Sequence, residues 1–123
     1  MKIDHLGIAT HGIDEALKFW QDALGLEHIH TETVEDQKVR VAMLPIGDTN
    51  LQLLAGTGPD TTVGRFVARR GEGLHHIGYR VADCGEALEH LKGLGHKVID
   101  EHPRPGSRGT TVAFVHPKAI HGT

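Results

Sequence analysis

The sequence partly repeats itself at an offset of 71 residues, the separation between His5 and His76. Three pairs of stretches coincide at this offset: IDHLGIAT with LHHIGYRV, the two EAL triplets at 15–17 and 86–88, and VAML with VAFV. A single duplication at this spacing predicts two similar half-domains and not an array of short repeats. A chain of 123 residues is of a size that folds as one domain.

Both halves carry the same predicted order of elements. A strand at 2–9 or 74–81 precedes a helix at 13–23 or 84–94, where apolar residues recur at helical spacing. Further strands are predicted at 27–34, 37–45, 49–55, 96–101 and 109–115. The order βαβββ–βαβββ predicts an α+β fold in which two paired modules form a curved sheet around a cleft.

We interpret the whole chain, 1–123, as a single domain of this kind. Module one covers about 1–57, a connecting helix about 60–70, and module two about 73–123. We expect module two to be incomplete, because the sequence ends at HPKAIHGT, where its last hairpin should turn.

Strand alternation separates the adjacent histidines His75 and His76, because neighbouring strand residues point to opposite faces. His76 shares its face with Gly78, and at the equivalent positions His5 shares a face with Gly7. Glycine next to a polar residue suits a cleft where a ligand approaches the backbone closely. His75 falls on the other face, at the position equivalent to Asp4, and is expected to be structural or partly exposed. The apolar faces expected to pack beneath the helices carry Leu6, Ile8, Ile77 and Tyr79.

Two histidines from equivalent strands that face one cleft suggest a metal site. Gln52 lies between Leu51 and Leu53 in an otherwise apolar strand, and its side-chain oxygen is a possible third ligand. The alternatives are ordinary hydrogen-bonded strand histidines, and a glutamine that bonds a neighbouring strand or faces solvent.

Composition and charge indicate which kinds of molecule and which environment this chain is suited to. The net charge of −3 and the pI of 6.4 give no basic surface for nucleic acid. No apolar run approaches the roughly 20 residues of a membrane helix, and the N-terminus has no signal-peptide stretch. The single cysteine, Cys84, excludes an internal disulfide, so we expect a cytoplasmic protein.

Five stretches carry a resemblance over almost the whole chain: IDHLGIAT, EALKFWQDALGLE, QKVRVAMLPIGDTNLQLLAG, RRGEGLHHIGYRV and DEHPRPGSRGTTVAFVHPK. They resemble the vicinal oxygen chelate superfamily, which includes glyoxalases, bleomycin resistance proteins and dioxygenases. VRVAMLPIGDT, GEGLHH and the final stretch are similar to the methylmalonyl-CoA epimerases within it.

The resemblance implies a homodimer and a divalent metal ion, which could be cobalt, manganese, zinc or nickel. The implied ligands fall on His5, Gln52 and His76. A glutamate that the family supplies from its eighth strand has no counterpart here. A third-strand glutamate that some members use as an acid/base group is replaced by Val41, so the catalytic base is unassigned.

The implied reaction is metal-dependent epimerisation of (R)- and (S)-methylmalonyl-CoA, by proton abstraction next to the thioester through a metal-stabilised enolate. We expect impaired activity in a chain without the last strand. Basic candidates for the CoA phosphates are Arg104, Arg108 and Lys118, although solvated surface charge is the simpler interpretation of each. The alternative functions are a glyoxalase-like lyase or a dioxygenase of the same superfamily, and a non-catalytic binding module of this fold.

Overall fold

A computed structural model describes residues 1–123. Its main feature is a curved five-stranded sheet with the strand order β2-β3-β4-β1-β5. These strands are β1 (Lys2–Ala9), β2 (His30–Val34), β3 (Val39–Ile46), β4 (Thr49–Gly56) and β5 (Gly73–Arg80). The predicted α+β class is confirmed, and the expected first strand has the predicted bounds.

The helices are α1 (Ile13–Leu17), α2 (Thr62–Arg70) and α3 (Cys84–Gly93). A π-helical segment, Lys18–Ala23, continues α1, so the predicted helix at 13–23 is present but changes its winding halfway. Asp83 caps α3 by accepting a hydrogen bond from the Glu86 N–H at 2.9 Å. None of the helices combines the length and apolar character needed to cross a membrane.

The hairpin of β3 and β4 fixes the register of the sheet. A two-residue turn, Gly47–Asp48, separates the paired residues Ile46 and Thr49. Gly47 has φ 57°, a conformation that glycine adopts without steric cost. Because strand side chains alternate, this register decides which residues of β3 share a face with those of β4.

Two apolar layers cover the sheet, one on each side. On one side α1 packs over Leu44 and Leu53, and Leu6 and Ile8 of β1 join this layer as predicted. On the other side Val63 and Val67 of α2 pack over Val41 and the neighbouring apolar residues of the sheet. The second layer covers the part of the sheet that carries Ala9, Val41 and Leu54 and lies next to the candidate site.

One apolar expectation was wrong. Tyr79, predicted to pack beneath a helix, is 56% exposed, and Ile77 is only half-buried. Tyr79 is the penultimate residue of β5. Its ring carries a hydroxyl that is easily satisfied by water, which lowers the cost of exposure.

The chain divides into two compact units, Ile3–Tyr79 and a second made of Met1–Lys2 with Arg80–Thr123. In the second unit the prediction of strands at 96–101 and 109–115 was wrong, because the paired segments are much shorter. The ladder there consists of the two-residue strands β6 (Arg104–Pro105) and β7 (Thr111–Val112) and an isolated bridge between Val98 and Val115. Proline lacks the N–H that a ladder requires, so Pro103 and Pro105 cannot donate hydrogen bonds to it and the ladder stays short. The last regular element is a 3₁₀ turn, Pro117–Ile120.

Candidate metal centre

The site lies within the unit Ile3–Tyr79 and is defined by two rows of residues across the sheet. Pairing puts Gly7 of β1 opposite Gln52 of β4, Gln52 opposite Met43 of β3, and Met43 opposite His30 of β2. His5 lies in the adjacent row, opposite Asn50. Directly opposed residues share a face, so His5, Gly7 and Gln52 face the same side of the sheet.

His5 and His76 meet through their ring nitrogens. The two Nε2 atoms are 3.0 Å apart, and the rings form a T-shaped pair with centroids 5.0 Å apart. The His5 side chain is only 17% exposed. The structure therefore brings together the two histidines that the repeat pairs, although β1 and β5 are far apart in the chain.

Two glycines make room for these rings in a reciprocal way. A Cβ added to Gly7 would lie 2.4 Å from the His76 ring, and one added to Gly78 would lie 2.1 Å from the His5 ring. Each histidine thus lies over the glycine of the other strand. This is the physical reason for glycine two residues after each histidine, and it agrees with the close approach predicted from the sequence.

Each histidine is oriented at Nδ1 by the residue that precedes it. His5 Nδ1 lies 2.8 Å from Asp4 Oδ2, and His76 Nδ1 lies 2.9 Å from His75 Nδ1. Asp4 and His75 are equivalent positions of the 71-residue repeat. A ligating histidine is commonly held in this way by a second partner at its other nitrogen.

Alternation placed His75 on the opposite face and so gave no hint of its bond to His76. Its ring packs edge-to-face on Phe66 of α2, with centroids 4.8 Å apart. Burial lowers the pKa of the His75 imidazole, and the nearby Arg70 lowers it further. The only signal in the sequence was the equivalence of His75 with Asp4.

Burial lowers the pKa of the His76 imidazole to about 3, and the nearby rings of His5 and His75 act in the same direction. His76 is therefore neutral near pH 7. A neutral imidazole has one unprotonated nitrogen, which is the form that binds a metal ion.

The donor set fits a divalent metal ion. Two unprotonated imidazole nitrogens that lie as close as these Nε2 atoms could both bind one divalent ion. Gln52, which is 5% exposed, presents an amide on the same face. No group of three or more His, Cys, Asp and Glu side chains forms a metal site. The candidate donors are two imidazoles and an amide, none of which is anionic.

Apart from His5, the titratable residues on this face of strands β1–β4 are His30 and Glu32. His30 Nε2 lies 3.0 Å from Glu32 Oε1, and both side chains are about one-third exposed. Glu32 is directly opposite Val41, which is fully buried in the layer beneath α2.

The three basic candidates lie in the other unit. Arg104 pairs with Asp100 at 3.3 Å and its guanidinium lies 5.4 Å from the centre of the Phe114 ring. Arg108 occupies a left-handed turn position with φ 56°, and Lys118 lies in the final 3₁₀ turn. Their predicted role toward CoA phosphates stays a prediction.

The family model for the glyoxalase/bleomycin resistance protein/dioxygenase superfamily matches residues 4–114. The chain belongs to this superfamily.

Among its relatives, the Bacillus subtilis uncharacterized protein YqjC is 38% identical over 98% of this chain and 86% of its own length. An ethylmalonyl-CoA/methylmalonyl-CoA epimerase of Cereibacter sphaeroides is 29% identical over 98% of this chain and 92% of the relative. A variant of Streptomyces coelicolor methylmalonyl-CoA epimerase, solved in complex with 2-nitronate-propionyl-CoA, superposes with a TM-score of 0.97. That structure is 41% identical and covers 100% of this chain and 90% of its own.

Proposed function

We propose that this chain is a metal-dependent methylmalonyl-CoA epimerase. The observation that carries the proposal is the facing pair of Nε2 atoms of His5 and His76, 3.0 Å apart over a surface cleared by glycine. The similarity to epimerases over nearly the whole chain supports the choice of substrate.

His5, His76 and Gln52 are the residues that would hold the metal ion. A bound divalent ion supplies Lewis acidity toward the carboxylate and thioester oxygens of the substrate, which makes the hydrogen on the carbon between them more acidic. Asp4 and His75 orient the two imidazoles, so that little rearrangement is needed to present both nitrogens.

The proton at the reacting carbon needs a donor and an acceptor other than the metal ligands. We assign this role to Glu32 and His30, the remaining titratable pair on this face of strands β1–β4. His30 is in the same row as Gln52, two strands away, a spacing of about 10 Å. Proton transfer by this pair therefore requires the Glu32 and His30 side chains to extend along the sheet toward the reacting carbon.

The proposal is tested by deuterium incorporation at the α-carbon of methylmalonyl-CoA in heavy water, with zinc, cobalt, manganese or nickel supplied in turn. The intact chain is expected to exchange this hydrogen and to interconvert the two epimers. Absence of exchange with every metal would overturn the proposal. The hemithioacetal of methylglyoxal serves as a second substrate, because a lyase would convert it and an epimerase would not.

The Glu32→Gln variant tests the proton-transfer assignment separately. We expect it to bind metal as well as the intact chain does and to lose most of its exchange activity. Glu35→Gln, at an exposed site next to β2, is the matched control. Unchanged exchange in Glu32→Gln would show that another group moves the proton. The expected homodimer and cytoplasmic location stay predictions.

A further inference from the structure

We infer that His75 is a positioning residue whose proton sets the tautomer of His76, and that metal binding reverses the hydrogen bond between them. The inference rests on the metal site proposed above. It uses three contacts in series, which join Asp4 to His5, His5 to His76, and His76 to His75 at 2.8, 3.0 and 2.9 Å.

Without a metal ion, one arrangement of protons satisfies the whole series when all three imidazoles are neutral. The Asp4 carboxylate can only accept, so His5 carries its proton on Nδ1 and has an unprotonated Nε2. The contact between the two Nε2 atoms then requires the His76 proton on Nε2. His76 Nδ1 is therefore an acceptor, and His75 Nδ1 must donate to it.

Metal binding requires different proton positions on His76 and His75, whereas the proton on His5 stays where it is. Both Nε2 atoms must be unprotonated to bind a cation, and His5 already meets this condition. His76 must move its proton to Nδ1, so His75 Nδ1 becomes the acceptor and His75 carries its proton on Nε2. The proton between the two Nδ1 atoms passes from His75 to His76. His76 Nε2 releases one proton to solvent and His75 Nε2 gains one, so the net change is zero.

A histidine at position 75 suits this exchange because its Nδ1 can be either a donor or an acceptor, whereas a carboxylate such as Asp4 only accepts. The His75 ring is also held in place. It packs on Phe66, and the Arg70 guanidinium lies 5.6 Å from the centre of the Phe66 ring. Contacts with α2 therefore determine where His75 Nδ1 lies relative to His76.

Nitrogen-15 NMR of the histidine-labelled chain tests the inference directly, with zinc as a diamagnetic metal. We expect His75 to be the Nδ1–H tautomer and His76 the Nε2–H tautomer before zinc is added. Both should change to the opposite tautomer with zinc, while His5 remains Nδ1–H. Zinc binding without a tautomer change at His75 would overturn this inference alone. Failure of the intact chain to bind zinc would overturn the metal site as well.

Two substitutions of similar size separate positioning from simple packing. The amide of His75→Asn reaches the place of the Nδ1 atom, whereas the amide of His75→Gln reaches the place of Nε2. We expect zinc affinity to fall by about 10- to 100-fold in His75→Gln and in His75→Ala, the range found for loss of a ligand's outer partner. His75→Asn should recover most of the affinity. Equal affinities in the Asn and Gln variants, with circular dichroism unchanged, would contradict the assignment.

Discussion

Strands β1 and β5 carry the same local pattern and differ in one chemically important position. In each strand a histidine is followed two residues later by a glycine, and each histidine ring lies over the glycine of the other strand. The preceding residue is Asp4 in β1 and His75 in β5. The two halves thus share the proposed metal-binding histidine and the space for its ring, while the group that orients this histidine differs. A carboxylate fixes one tautomer, and an imidazole allows two.

The largest effect should come from removing either ligand. Substitution of His5→Ala or His76→Ala deletes one of two imidazole donors, so zinc affinity should fall by more than the roughly 100-fold that marks loss of an outer partner. Isothermal titration calorimetry measures this. His90→Ala, an exposed histidine on α3, is the control and should bind zinc normally. A large loss of zinc affinity in only one of the two variants would show that the histidines of β1 and β5 do not have equivalent roles.

The glycines provide the next test of that equivalence. In Gly7→Ala or Gly78→Ala the new methyl group collides with a histidine ring, so we expect a loss of about 1–3 kcal/mol in the free energy of unfolding and weaker zinc binding. Gly93→Ala is the control for a methyl group that collides with nothing, because a Cβ there meets no atom within 4 Å, and as a helical position it should keep or raise stability. Urea unfolding without zinc measures the loss of stability, and urea unfolding with zinc measures the weaker zinc binding. Unchanged stability in the Gly78→Ala variant would show that the ring moves aside easily.

Gln52→Glu extends the comparison to β4, the neighbour of β1. A carboxylate at this buried position costs free energy when no cation is near, and it binds a divalent ion more strongly than an amide does. We expect the metal-free variant to have a lower free energy of unfolding than the metal-free parent chain. We expect its affinity for zinc to be higher than that of the parent chain. Thermal unfolding without zinc measures the loss of stability, and thermal unfolding with zinc measures the stabilisation that tighter zinc binding provides. Destabilisation in both states would place the Gln52 side chain away from the metal.

Over the first pH unit below pH 6.5, the pH dependence of stability should be the smallest effect. The folded-state pKa of His76 lies below its unfolded value of 6.5, so the unfolded chain binds the extra proton. The contribution of this group is complete above pH 6.5 and is lost as the pH falls toward about 3. The free energy of unfolding should decline by at most about 1.4 kcal/mol per pH unit from this group. Urea titrations of the metal-free chain at several pH values should show a shallower decline in His76→Gln. An equal decline in both chains would assign the effect to other residues.

Local patterns predicted the elements whose side chains alternate or repeat regularly. The first strand at 2–9 and the meeting of His5 with His76 follow from alternation and from the 71-residue repeat. The π-helical segment Lys18–Ala23 was not predicted, because apolar spacing over so few residues does not distinguish two close helical periods.

Features that depend on side-chain reach or on distant pairing were not predicted. Alternation gives the direction of Cβ but not the reach of a ring, and so the bond from His75 to His76 was missed. The place of His30 on the ligand face depends on the pairing of four strands, which the sequence does not show. In the second unit, strands were predicted at 96–101 and 109–115, whereas the structure forms a two-residue ladder and an isolated bridge between Val98 and Val115.

Anomalous diffraction from crystals grown with cobalt or zinc tests the central claim most directly. We predict one strong peak bonded to Nε2 of both His5 and His76 at about 2.1 Å, with the Gln52 side chain next to it. The Nδ1 contacts to Asp4 and His75 should be retained. A peak elsewhere on the chain, or no peak while the two Nε2 atoms remain hydrogen-bonded, would contradict the account.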